Sequence, residues 1–348
     1  MNSSNNTNTS GNNDIYEHFM YILIIYGIIT PVIVAFGYFG NILTAIVLWR
    51  RVKSSTNTLL LRALVLSDIT MITDVFLVFS LPTLISALIE YDLGNNLMHS
   101  HFSMVMNYVI MTSQQINIYI LVLISVERYF AVCHPLKYAN NKSGRRTLAS
   151  ICGFVGFSVI FNIPRILAFT IHPTGCVNIH SSLTCYKIVY TDFGEGYFYQ
   201  EIYTVWMYGA LFFVLPLFVL LIMNIFIIKE LAKMKRARKN LGVANSTNKT
   251  DSITVSLVII MAVFFVVQSL GFFNQFVNIV FNNIDQEIFV SVVNTLYTAN
   301  SSTNTLIYAA TGMKFRRDVS GLFKKCFRCS KLLTMSSDQY TVTDISVV

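Results

Sequence analysis

Charge is what this 348-residue chain has least of: 12% of its residues are Asp, Glu, Lys or Arg, against 54% hydrophobic. So few charges cannot solvate a soluble globule of that length, which argues against the water-soluble classes. Histidine is scarce too, and all six (His18, His99, His101, His134, His172, His180) fall in tails, loops or the ends of apolar stretches. A zinc hydrolase of the membrane would need His and acid ligands inside those stretches. Cys326 and Cys329 make a lone Cys-X-X-Cys, with neither the second pair of a zinc site nor the strand-helix surroundings of a redox motif. No internal repeat relates two halves of the chain, as a channel or transporter would show.

What is abundant is apolar length. Seven runs, with approximate edges at 21–49, 58–88, 102–133, 147–171, 202–228, 253–281 and 288–311, each exceed the roughly 20 residues that cross about 30 Å of hydrocarbon. Helices are required, because a lone strand would leave backbone groups unpaired in lipid. The expected fold is an all-α membrane protein, a seven-transmembrane-helix bundle in a single domain over 21–311. The first run is too long for a signal-peptide core and is followed by no small-residue cleavage pattern. Residues 1–20, rich in Asn, Ser and Thr, read as a disordered tail.

Of the 25 Lys and Arg, all but Arg128, Arg165 and Lys187 fall on one side of a seven-span arrangement. The positive-inside rule puts that side in the cytoplasm and the N-terminus outside, which makes the chain a multi-pass protein of the plasma membrane. The net charge of +8 therefore expresses topology and not nucleic-acid binding. Acids dominate the outer side: Asp14, Glu17, Glu90, Asp92, Asp192, Glu195, Glu201, Asp285 and Glu287. They are either ordinary solubilising charge or a negative vestibule that draws in cationic ligands. Asn2, Asn5 and Asn8 open Asn-X-Ser/Thr triplets in the outer tail and are usable glycosylation acceptors.

The third run ends in Glu127-Arg128-Tyr129, followed by Pro135-Leu136. A charged pair where a helix leaves the bilayer is expensive unless it has a task. Gly40-Asn41 stands in the first run, Ser67-Asp68 in the second, Asn162-Ile163-Pro164-Arg165 at the end of the fourth and Pro216 in the fifth. The seventh reads Asn300-Ser301-Ser302-Thr303-Asn304-Thr305-Leu306-Ile307-Tyr308, then Gly312-Met313-Lys314-Phe315-Arg316. In this order and at these depths the motifs resemble those of rhodopsin-like (class A) G-protein-coupled receptors along the whole chain. In detail they are similar to invertebrate receptors for FMRFamide-type neuropeptides.

The resemblance implies a receptor and not an enzyme. It implies activation by an extracellular neuropeptide, C-terminally amidated and RFamide-like, and signalling through a heterotrimeric G protein. A chemosensory receptor for an environmental compound is the alternative within the same class. It further implies that Glu127 holds Arg128 at rest, that Leu136 offers an apolar knob to the G protein, and that Tyr308, one turn from Asn304, is a switch residue. Asp68 in mid-helix would cost a few kcal/mol without partners. The family gathers Asn41, Asn117, Asn300, Ser301 and Asn304 around it, either as a hydrated site for an allosteric sodium ion or as a purely structural network. No other cofactor or metal is expected.

Retinal would need a lysine where Thr298 stands, and a monoamine an aspartate at the depth of Ile110. Depth leaves Gln114, Gln115, Arg165, Glu201, Tyr203, Gln275, Asn278 and Tyr297 as candidate contacts for a peptide with a basic residue and an aromatic amide end. The family's cysteine in the third segment would fall at Ser103 and is absent. Cys176 and Cys185, both in the second outer loop, are expected to pair locally, which leaves that loop less firmly tied to the bundle. Segment six lacks the family's tryptophan and proline, with Gly271 as a source of pliancy, and Thr305 replaces the proline of segment seven. An amphipathic helix along the membrane lipid is expected over 312–326, with Cys326 and Cys329 suited to palmitoylation. The cytoplasmic tail, 327–348, offers Ser336, Ser337, Thr341 and Thr343 as phosphorylation sites for arrestin recruitment. It ends in Ser346-Val347-Val348, which resembles a ligand of PDZ domains.

Overall fold

In lipid only intrahelical bonding satisfies the backbone, and the apolar runs accordingly become helices. A computed structural model describes residues 17–50, 55–141, 143–175, 184–240, 258–259, 262–273, 283–311 and 316–321. Segments one to five are the helices Glu17–Trp49, Thr56–Leu88, His101–Cys133, Gly144–Leu167 and Phe198–Ala237, all long and apolar enough to cross a membrane. Segment six is described as the shorter apolar helix Ala262–Phe273, and segment seven as Asn283–Thr311. The chain is thus a multi-pass, seven-helix membrane protein. Of the surface helix expected over 312–326, residues 316–321 are described and helical.

Segment four ends earlier than its apolar run. Pro164 supplies no N–H, and the helix turns at Asn162 before the last stretch, Ile163–Leu167. Carbonyls beside the break are taken up by tyrosines of neighbouring helices. The Tyr203 hydroxyl donates to Phe161 O (3.0 Å), and that of Tyr108 to Val159 O (3.0 Å). The remaining apolar residues pass into β1 (Phe169–Thr174), which pairs antiparallel with β2 (Cys185–Tyr190) from Phe169 opposite Tyr190 to Thr174 opposite Cys185.

This hairpin is held more firmly than the missing segment-three cysteine suggests. Asn96, in the loop helix Tyr91–Met98, donates its amide to Thr184 O (2.9 Å) and accepts from the Tyr186 N–H (3.2 Å). Both groups lie on the free edge of β2, so one side chain caps it as a further strand would. At the other end Thr191 bonds Ala168 O through its N–H (2.9 Å) and Leu167 O through its hydroxyl (2.8 Å). Cys185 is disulfide-bonded. Cys176, its expected partner, lies outside the described residues. Ser103, where the family's cysteine would stand, instead donates its N–H to the cap residue Ser100 (3.4 Å).

Segment three is the axis of the bundle. Ile118, Leu121 and Ile124 are buried among Leu64, Phe212, Leu220 and Phe264 of segments two, five and six. Segment five begins in wide π-type turns, Phe198–Met207 and Gly209–Val214, along which the rings of Tyr199, Tyr203, Tyr208, Phe212 and Phe213 stack or meet edge to face.

Segments one and seven close on each other through small residues, the packing that lets helices approach in lipid. A Cβ added at Gly37 would overlap Ser302, and one at Gly40 would press on Thr305. Thr30 bonds Thr295 (2.9 Å), Thr44 bonds Thr305 (2.8 Å), and Ser302 donates to Ile33 O (3.2 Å). Threonine in the family's proline position therefore leaves segment seven unbroken and supplies it with an interhelical bond.

Candidate functional site

At the end of the bundle opposite the hairpin, segment three delivers Glu127, Arg128 and Tyr129 into the turn before the loop helix Pro135–Asn141. Arg128 faces inward and is 5% exposed, while Leu136 is 82% exposed on the loop helix, as an apolar knob must be. Glu127 accepts a hydrogen bond from the hydroxyl of Tyr138, a partner that the sequence motif does not announce. Burial, and then the carboxylate beside it, holds the Tyr138 phenol above its ordinary range. Tyr129 shares a hydrogen bond with His134 Nε2 (3.2 Å) and leans on Phe226 of segment five. This end thus presents a buried arginine and, on the loop helix, a displayed leucine.

A polar core lies in the middle of the bundle. Asp68 is buried, with Oδ1 accepting from Asn117 Nδ2 (2.8 Å) and Oδ2 from Asn304 Nδ2 (2.6 Å). Ser301 is a further hydrogen-bonding neighbour of that carboxylate. Asn117 also donates to Ser67 Oγ (2.7 Å), and Asn41 ties segment one to Ser301 O (3.0 Å). Segments two, three and seven meet on one acid, with segment one joined to them through Ser301, which meets the requirement that an intramembrane charge be partnered. Asn300 stands beside Asn117 on a narrow cavity on the scale of a single water, also lined by Met71, Gln114, Gln268 and Tyr297. Tyr308 belongs to the segment-seven helix, but its side chain lies outside the described residues.

Toward the hairpin end the depth-chosen contacts separate. Gln114 and Tyr297 line the cavity, and the Tyr297 hydroxyl is buried without a partner among the described residues. Gln115, the next residue on the helix, faces segment four, where its Oε1 accepts from Asn162 (2.7 Å). Arg165 lies over the Tyr208 and Tyr203 rings, 4.5 and 5.8 Å from their centroids, a cation–π clasp between segments four and five. Glu201 is exposed on segment five, next to Ile202. Gln275 and Asn278 lie outside the described residues, as do Cys326, Cys329, Asn2, Asn5 and Asn8. Gly271, expected to lend pliancy, has a packing role, because a Cβ there would overlap the Tyr297 hydroxyl.

The sequence reading passed over Asp74 and Gln268, buried polar side chains that belong to no motif. A scan for acids and amides inside the apolar runs would have found them.

Residues 40–308 match the model of the 7 transmembrane receptor (rhodopsin family). Among characterised proteins, the chain is 28% identical over 294 residues to the FMRFamide receptor of Drosophila melanogaster, which covers 84% of this chain and 52% of that protein. It is 26% identical over 302 residues to the FMRFamide peptide receptor frpr-18 of Caenorhabditis elegans, covering 84% and 68%. It is 24% identical over 317 residues to a probable G-protein coupled receptor, frpr-1, of the same organism, covering 86% and 79%. The chain thus spans about half the length of the Drosophila relative.

Proposed function

The chain belongs to the rhodopsin family of seven-transmembrane receptors, and from that premise we propose that it is a receptor for an extracellular neuropeptide, amidated and RFamide-like, that signals through a heterotrimeric G protein. The observation that carries the ligand class is the similarity to FMRFamide receptors over 84% of the chain. The N-terminus faces outward in the plasma membrane, with the tail glycosylated at Asn2, Asn5 and Asn8. Residues 312–326 lie along the lipid, with Cys326 and Cys329 palmitoylated, and the tail meets arrestin and a PDZ-domain protein.

In mechanism, peptide bound at the hairpin end favours the bundle arrangement in which Arg128 is exposed to the G protein, so binding at one end shifts a population at the other. Tyr138 restrains Glu127 at rest, and Leu136 docks into the G protein. The Asp68 network is the shared hub, since it ties segments two, three and seven, which must move relative to one another. Asp68, Ser67 and Ser301 would hold a sodium ion through their oxygens, with Asn117 and Asn304 as further candidates. A cation held there would favour the resting state, and Tyr308 would close the path when it is lost.

The test is G-protein activation in transfected cells against a panel of amidated peptides ending in Arg-Phe, each paired with its Arg→Ala analogue. Nanomolar activation that is lost with the arginine is the expected result. Silence across the panel, from receptor present at the cell surface, overturns the peptide reading in favour of a chemosensory one.

A further inference from the structure

Segments one and seven, closed on each other by small residues, leave a cleft of about 750 Å³ on the face they turn to lipid. Its lining runs from buried Gly40, Ser302 and Thr305 to mostly exposed Phe36, Phe39 and Leu306. The hydroxyls between the two helices are already engaged. Ser302 donates to Thr298 O (2.7 Å) and Ile33 O (3.2 Å), Thr303 donates to Asn300 O (3.0 Å), and Thr305 bonds Thr44 (2.8 Å). Water would find few partners there, and a slot left empty forfeits the dispersion contacts of the side chains around it. Hydrocarbon is the filling that fits.

One end of the cleft differs in kind. Arg316, Val319 and Ser320, from the stretch after segment seven, line it at the coupling end, and Arg316 is exposed. From Ile33 to Leu43 the cleft follows segment one for ten residues, about 15 Å of helix. That is half of a hydrocarbon core about 30 Å thick, so the slot has the depth of one leaflet and its guanidinium the level of the headgroups. Residues 312–326 carry Lys314, Arg316, Arg317, Lys324 and Lys325 against the single acid Asp318. A phosphate accepts two parallel N–H bonds from a guanidinium, which the lone hydroxyl of a sterol cannot do. A choline headgroup would add a cation beside these five, whereas a net negative headgroup is attracted by each of them.

We propose that this cleft binds an anionic phospholipid of the leaflet at the coupling end, with an acyl chain lying between segments one and seven and the phosphate held by Arg316. The site goes beyond the peptide-receptor reading and does not rest on it.

The test uses the full chain, one copy per disc, in nanodiscs of unlabelled phosphatidylcholine. The discs are doped below saturation with phosphatidylserine or phosphatidylcholine that carries a diazirine on its acyl chain, and labelled residues are mapped by mass spectrometry after photolysis. Labelling of the cleft, over residues 33–43 and 299–306, should be about fivefold higher from phosphatidylserine, the ratio that about 1 kcal/mol for one basic contact gives. Arg316→Gln should bring the ratio close to one, and Arg316→Lys should retain part of it. Arg317→Gln removes the same charge from a residue that does not line the cleft and should leave the ratio high. Ala299→Leu, which fills the slot, should lower cleft labelling by both probes. A wild-type ratio near one overturns the proposal, and so does an equal loss in Arg316→Gln and Arg317→Gln, the mark of general surface charge. Cleft labelling by a diazirine sterol that phosphatidylserine does not displace overturns it in favour of a sterol. Phosphatidylserine labelling seen only after Cys326→Ser and Cys329→Ser overturns it in favour of the chain's own acyl groups.

Discussion

Replacing Asn96 with alanine should loosen the hairpin at one edge only. The side chain makes two hydrogen bonds to β2, at 2.9 Å to Thr184 O and 3.2 Å from the Tyr186 N–H. A neutral hydrogen bond contributes a net ~0.5–1.5 kcal/mol, and partial exposure to water puts this pair at the lower end, about 1 kcal/mol in all. That corresponds to about a fivefold rise in the local opening equilibrium, since 1.4 kcal/mol is tenfold. Hydrogen exchange resolved by residue is the assay. The Tyr186 amide should exchange about fivefold faster in Asn96→Ala, whereas the Thr191 amide, bonded to Ala168 O at 2.9 Å, should be unchanged. Asn96→Asp keeps the acceptor for Tyr186, loses the donor to Thr184 and should fall between. Unchanged exchange at Tyr186, or equal acceleration at Tyr186 and Thr191, would refute the claim that one amide caps this edge.

Three further outcomes are expected. Gly271→Ala forces a methyl against the Tyr297 hydroxyl and should destabilise the receptor by about 1–3 kcal/mol. Thermal unfolding measures the loss, and adding Tyr297→Phe should recover part of it. Asp68→Ala takes the acceptor from the Asn304 amide and one of two acceptors from the Asn117 amide, which keeps Ser67, and should cost about 1–3 kcal/mol per buried donor left unpaired, with Asp68→Asn milder in the same unfolding assay. Tyr138→Phe frees Glu127 and should raise agonist-free nucleotide exchange on the G protein several-fold. Because the folded Tyr138 phenol titrates above its unfolded value, near 10, its bond should persist through neutral pH, and its stabilisation should fade only as pH rises past that value.

The membrane segments were legible because length and apolarity are local, additive properties, and Glu127-Arg128-Tyr129 and Asp68 were legible because a charge inside an apolar run stands out. Tyr138 and Asn96 were not, because each acts on a partner set by tertiary structure; Asn96 reaches a carbonyl 88 residues away. Gln114 and Tyr297, chosen by depth, line one cavity, but depth says nothing about rotation around a helix. Gln115 faces segment four, and the π-type turns that open segment five shift its phase away from a 3.6-residue period. The loop cysteines showed how a bond is lost relative to the family, but not that a side-chain amide would stand in for it.

The hydroxyl seam between segments one and seven also bears on how the molecule is made. Thr30 waits for Thr295 across 265 residues, and Asn41 for Ser301 across 260. The first helix to enter the membrane therefore carries polar groups whose partners across the bundle are synthesised last, and until then they have only carbonyls of their own helix, Ile25 O and Gly37 O, to bond. Biogenesis ends as a ring closure, in which the chain is not a finished bundle until its two ends meet. Damage to the last helix is thus felt first as an orphaned first helix, the kind of exposed polarity by which quality control retains a nascent membrane protein.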